Sequence, residues 1–208
     1  GTTPVGGTID RTFTITNISD FPVSAMVFDS YTPHFDYQGA GFPGDDGDCG
    51  ATLTESGGAD DSCTIVITYT PASTGIHPDQ VKITYNDGAA SQEVIRTMDG
   101  TGSSKANITI TESDPYDFGQ IPVDGSRTRT FVLTNAGGVT ATGLTVDGLV
   151  APFDFSGAGY PGDGAADCLA SLASAASCII EIEYSPTGAA AVHTGQFDVN
   201  YNDGLGPI

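Results

Sequence analysis

The chain has 208 residues, 38% of them hydrophobic, and sets six Lys plus Arg against 26 Asp plus Glu for a net charge of −20. A polyanion of this kind is repelled by nucleic acid and by anionic membrane surfaces, which excludes both as partners. No apolar run approaches the roughly 18 residues that a membrane-spanning helix needs, so membrane insertion is excluded too.

The 28 Gly and 12 Pro, with many Thr and no Trp, point to strands and turns. The chain opens on Gly1 without Met or a signal sequence, which reads as a processed, engineered or truncated start. Residues 8–17 predict a strand with Ile9, Arg11, Phe13 and Ile15 on one face. Its partner copy is 126–135, with Phe131 and Leu133 inward; Asn17 and Asn135 close the two strands, where Asn tolerates turn dihedrals. A second strand is expected over 23–28, matched to 144–149, and a short one carries Phe35 and Tyr37.

After an acidic Gly/Pro loop, Cys63, Ile65, Ile67 and Tyr69 alternate inward while Thr64, Val66 and Thr68 face away. In the second copy Cys178 opens the same strand, with Ile179, Glu181 and Glu183 facing away. Pro71 and Pro186 end these strands because proline cannot donate to the ladder. Val81, Ile83 and Tyr85 alternate next, Asp87-Gly88 supplies a hairpin turn, and 92–98 completes the first domain. Residues 100–105 read as a Gly/Ser linker, and 106–111 open the second domain. No helical periodicity of useful length occurs.

The copies align throughout. Pro4 matches Pro122, Asn17 matches Asn135 and Phe35 matches Phe153, each 118 residues apart. Cys49 then matches Cys168, Cys63 matches Cys178, and Tyr85-Asn-Asp-Gly88 matches Tyr201-Asn-Asp-Gly204. A period this long means whole domains in tandem, 1–102 and 103–208. One cysteine pair per copy, in strand-and-loop sequence, predicts disulfides Cys49–Cys63 and Cys168–Cys178 and an oxidising compartment. Spacings of 14 and 10 residues, with no partner His nearby, do not fit zinc. Short alternating strands at regular spacing indicate an all-β fold of two tandem β-sandwich domains.

Arg11-Thr-Phe-Thr-Ile-Thr-Asn17 and Arg129-Thr-Phe-Val-Leu-Thr-Asn135 resemble the second strand of ASH-type (abnormal-spindle/hydin-like) immunoglobulin-like domains. The Phe-x-x-x-Gly-x-Gly-x-Pro-Gly loop, the cysteine pair, Tyr-x-Pro and the closing Tyr-Asn-Asp-Gly are similar to the bacterial version. That version recurs in "choice-of-anchor D" surface proteins. The resemblance covers nearly the whole chain. It implies the sandwich fold and a secreted or cell-surface bacterial setting, and it brings no active site.

The acidic loops offer one cofactor candidate, calcium, through Asp45, Asp46, Asp48, Asp163 and Asp167. The plainer reading is solvated turns, since the spacing lacks the EF-hand Glu and Asp46 has no counterpart. His77 and His193 match between copies and His34 stands alone, and strand-edge roles suit them better than catalysis. Asn17-Ile-Ser and Asn107-Ile-Thr fit the glycosylation sequon, and Lys82 is the one Lys that invites an isopeptide reading. Set against the second copy, the first domain lacks the counterpart of 106–118, its first strand. The second lacks the counterpart of 92–98, its last. Sheet edges left open in this way invite neighbouring polypeptide.

The expected function is structural and non-catalytic: a stalk, fibre or surface-layer segment of a large extracellular protein, partnered by neighbouring domains or subunits. The alternative is an adhesion module that binds a glycan or protein receptor, with calcium as its ion.

Overall fold

The alternating stretch after the second cysteine of each copy becomes a buried strand at the middle of a sheet. The computed structural model describes residues 2–208, and the chain divides between Ser103 and Ser104 into two units. Each unit is an all-β sandwich with one disulfide; among the described residues the only helical pieces are two 3₁₀ turns.

In the first module β1 (Thr2–Pro4), β7 (Ser91–Ser103), β6 (Gly75–Asn86) and β3 (Ser24–Phe28) form one sheet in that order. The facing sheet is β2 (Ile9–Thr16), β5 (Ser62–Tyr69) and β4 (Phe35–Tyr37). Alternation puts Cys63, Ile65, Ile67 and Tyr69 of β5 into the core against Met26, Val81 and Ile83 of the other sheet.

The second module repeats the plan. Strands β11 (Phe153–Phe155), β13 (Ser177–Tyr184), β9 (Arg127–Asn135) and β8 (Ile108–Ile110) make a four-stranded sheet. It faces β12 (Ser171–Leu172), β10 (Ala141–Asp147) and β14 (Asp198–Asn202). Leu133, Leu144, Ile180 and Ile182 are the largest of its fully buried apolar side chains. Ile208 exchanges both backbone hydrogen bonds with Tyr201, so the last residues turn back on β14.

Two expectations are corrected. The counterpart of residues 23–28 is 141–146, within β10 and three residues earlier than the 144–149 match. The backbone fixes the true register: Met26 N–H donates to Ala51 and Leu144 N–H to Ala170 in the same way. Each strand carries a bulge there, at Ala25 (φ 52°) and Gly143 (φ 63°), which switches the side-chain alternation and misleads a period-two reading.

The second correction concerns residues 100–105. Thr101, Gly102 and Ser103 belong to β7 and pair with Thr2, Thr3 and Pro4 of β1. The glycines serve close approach, not flexibility. A side chain on Gly100 would collide with the ring of Tyr69, and one on Gly102 with the Ser73 carbonyl.

Candidate functional site

The acidic loop of each module folds as a flap over the outer face of its central strand. In the first, Val66 N–H donates to the Pro43 carbonyl, and Gly44 lies so close to Val66 that a Cβ would meet its backbone. In the second, Glu181 N–H donates to Pro161, and the Glu181 carboxylate accepts from Ala165 N–H at 3.2 Å. Val66 and Glu181, expected to face away from the core, are therefore buried beneath these flaps.

A 3₁₀ turn starts each flap, at Gln38–Ala40 and Ser156–Ala158, and passes through a left-handed glycine, Gly39 or Gly157, both at φ 71°. The missing Cβ leaves room for the carboxylate of Asp45 against Gly39 and of Asp163 against Gly157.

Asp48 accepts from both the backbone N–H of Thr64 (2.6 Å) and its hydroxyl (2.9 Å). Asp167 accepts from Ile179 N–H at 2.7 Å. These two aspartates therefore clamp the loop beside the disulfides, whose Cα atoms are 4.8 and 4.9 Å apart. Among the described residues no donor reaches the Asp46 side chain; its N–H donates to Gln38 Oε1, and Gln38 Nε2 in turn donates to Asp10. Of the five carboxylates named for calcium, the structure brings none into a shared ligand set. Among the described residues no group of three or more His, Cys, Asp or Glu side chains is placed to hold a metal.

The matched histidines do share a role. Tyr69 Oη and His77 Nδ1 share a hydrogen bond of 2.6 Å, and Tyr184 Oη and His193 Nδ1 one of 2.9 Å. His34 stacks on His77 with centroids 3.7 Å apart and accepts from Ala72 N–H. Lys82, far from a cross-link, is paired with Glu93 at 3.0 Å and Asp29 at 3.7 Å.

Sequence reasoning placed the Asn pair at strand ends and missed its bridging role. Asn135 is fully buried; its amide donates to the carbonyls of Val139 (2.8 Å) and Leu172 (3.0 Å) and its Oδ1 accepts from Asn107 and Gly137 N–H. Asn17 donates likewise to Phe21 (2.8 Å) and Thr54 (2.7 Å). Asn135 thus joins the end of β9 to a loop and to β12 of the other sheet, and Asn17 joins the end of β2 to two loop residues. Both amide hydrogens of Asn17 are engaged in the folded state, which closes its sequon to modification there. The signal in the sequence was the identical position of an Asn in both copies at a strand end.

One concavity of the first module is the best binding candidate. It encloses about 550 Å³ and is lined by Tyr31, His34, Asp36, Tyr37, Thr68 and Thr70 among others. At the matching positions the second module has Leu149 for Tyr31, Pro152 for His34 and Phe155 for Tyr37. Tyr31 is held well above the usual phenol range, first by burial and then by its hydrogen bond to Tyr37.

The titrating groups set an expected pH response. Asp48, Asp87 and Asp203 are all held below the usual carboxylate range. The donors are the N–H and hydroxyl of Thr64, the N–H groups of Ala90 and Ala89, and the N–H groups of Leu205 and Gly206 with Lys105. A lowered carboxylate stabilises the fold above its unfolded-state value of about 4, and the contribution is lost as pH falls through the folded-state value. His77 is pushed down by burial and then by His34, so it favours the fold above about pH 6.5 and that share is lost on acidification below it. The urea midpoint is expected to fall in two steps, below about pH 6.5 and again below about pH 4. His77→Gln should abolish the upper step alone; a variant that keeps both steps would refute the assignment.

No known protein family matches the chain, and no curated protein matches it. Among solved structures, the chain is similar to a protein of unknown function from Porphyromonas gingivalis W83. The identity is 9% and the TM-score 0.33, over 100% of this chain and 93% of that one.

Proposed function

We propose that this chain is a structural, non-catalytic run of tandem β-sandwich modules in an extracellular or cell-surface protein, partnered by neighbouring domains or subunits. One observation carries the reading. Three pairs of polar residues that recur at matching positions are committed to partners within their own module: Asn17 and Asn135, Asp48 and Asp167, His77 and His193. A repeated ligand site would keep such groups free and convergent.

The buried disulfide of each module supports an oxidising compartment, and a charge of −20 supports a solvated surface there. The test is surface biotinylation of intact producing cells with electron microscopy of the native material. Labelling before lysis together with rods, stalks or an ordered layer is the expected result; labelling only after lysis overturns it.

A second reading, adhesion to a glycan or protein, is favoured by the concavity at Tyr31, His34 and Tyr37, whose polar groups the second module does without. Since that module folds with Leu, Pro and Phe in their place, the fold itself does not require them.

A further inference from the structure

The two modules differ at one edge, and the second shows how that edge is filled. There β8 pairs with β9, joining Ile108 to Asn135 and Ile110 to Leu133. Glu112 Oε1 continues the contact by accepting the N–H of Val132 at 3.1 Å. Ala106 N–H donates to the Asp203 carbonyl, Ile108 N–H to Tyr201 Oη, and Ala136 N–H to the Asn107 carbonyl. Further along the same segment, Phe118 packs its ring against Phe131, Phe153 and Tyr184 at centroid distances of 6.3, 5.5 and 5.8 Å.

The first module repeats the receiving side of this arrangement. β2 is the edge strand of its sheet among the described residues. Tyr85 and Asp87 stand where Tyr201 and Asp203 receive β8, and Thr14 where Val132 donates to Glu112. Phe13, Phe35 and Tyr69, the counterparts of the three rings around Phe118, line a cavity of about 70 Å³. Beside the same edge Ile18 is 86% exposed and Phe21 70%, whereas Val139, the counterpart of Phe21, packs against the core cluster that contains Ala106. An unpaired strand edge, exposed apolar side chains beside it and an aromatic-lined cavity at its far end form one continuous receptor.

We propose that the β2 edge of the first module is an acceptor for an extended polypeptide segment from outside that module. The segment pairs antiparallel with β2, presents alternate apolar residues in the pattern of Ala106, Ile108 and Ile110, and inserts an aromatic side chain between Phe13, Phe35 and Tyr69. Backbone hydrogen bonds supply the pairing, and the ring in the cavity fixes the register. Ser19 stands where Gly137 lets the β8 backbone pass, so its side chain narrows the path. The inference deepens the scaffold reading by naming the partner's chemistry and rests on it for its biological sense. The experiment that tests it does not depend on where the protein resides.

The probe is a synthetic peptide of residues 105–119 added to the intact chain, read by amide hydrogen exchange and by ring signals. Saturating peptide is expected to slow exchange across β2, at Thr14 among others, by at least tenfold and to shift the Phe13, Phe35 and Tyr69 rings. A peptide carrying Phe118→Ala should bind at least tenfold more weakly. Tyr85→Phe in the chain should weaken binding severalfold, and Ser19→Gly should tighten it. No protection of β2 at millimolar peptide, or equal binding by the Phe118→Ala peptide, overturns the proposal. Protection that rises with protein concentration without peptide assigns the edge to a second copy and overturns it as well. Failure of surface labelling with peptide docking intact would remove the scaffold reading alone.

Discussion

Replacing Asn135 by Ala is expected to destabilise the second module by about 3 kcal/mol. The side chain has no solvent exposure and makes four hydrogen bonds: two donated to the carbonyls of Val139 and Leu172, two accepted from the N–H groups of Asn107 and Gly137. Alanine removes all four and fills none of the space. Each buried group left unpaired costs roughly 1–3 kcal/mol, and relaxation of the loop at Gly137 and Val139 recovers part of that. Leu172 belongs to β12 and Asn135 closes β9, so the loss also loosens one sheet from the other. Asn17→Ala should cost less, about 2 kcal/mol. Its Oδ1 serves only the N–H and hydroxyl of Ser19, which has water within reach. Urea unfolding followed by amide signals assigned to each module checks both values. A loss below 1 kcal/mol for Asn135→Ala would mean that the clasp is replaceable by water.

Much of the fold was legible because burial is one-sided on β5 and β13. Cys63, Ile65, Ile67 and Tyr69 alternate without interruption, and so do Cys178, Ile180, Ile182 and Tyr184. Duplication then fixed the cysteine pairing, since only short-range bonds within each copy respect the repeat. What the sequence concealed has two physical causes. The first is local: the bulges at Ala25 and Gly143 reverse the alternation within a strand, so a hydrophobic match slipped by three residues. The second is long-range. Gly100 and Gly102 resemble a flexible linker, but they are glycine because Tyr69 and Ser73 press on β7 from a separate part of the chain. The acidic loops show the same limit. Asp48 and Asp167 look like free ligands until Thr64 and Ile179, on the far side of each disulfide, are seen to occupy them. Asn17 and Asn135 looked like turn formers for the same reason: their partners at Thr54 and Leu172 lie 37 residues away.

Removing either disulfide, as Cys49→Ala with Cys63→Ala or Cys168→Ala with Cys178→Ala, should cost its own module about 3 kcal/mol. The bonds close loops with separations of 14 and 10 residues, so chain entropy makes the two losses differ by only about 0.3 kcal/mol. What the loops carry decides where the damage spreads. Leu53 lies within the first loop, 4% exposed, and exchanges both backbone hydrogen bonds with Val23; Leu172 in the second loop pairs with Ala141 of β10. Each disulfide therefore pins an apolar residue of an otherwise irregular loop into the core, against the strand that also holds the bulge. Opening the ring frees that residue to leave, and with it the carbonyl of Thr54 or Leu172 on which the Asn clasp depends. The losses from Asn135→Ala and from the Cys168–Cys178 pair should consequently be less than additive in the combined variant. All four sulfurs belong to buried residues, so a reductant should act on the folded chain only as fast as the module opens, and rapidly once urea unfolds it. Module-resolved urea midpoints for the three variants check the energies, and thiol titration against urea concentration checks the access. A strictly additive triple variant would show that clasp and disulfide hold the loop independently; rapid thiol release from the folded chain would show that the bonds are exposed in solution.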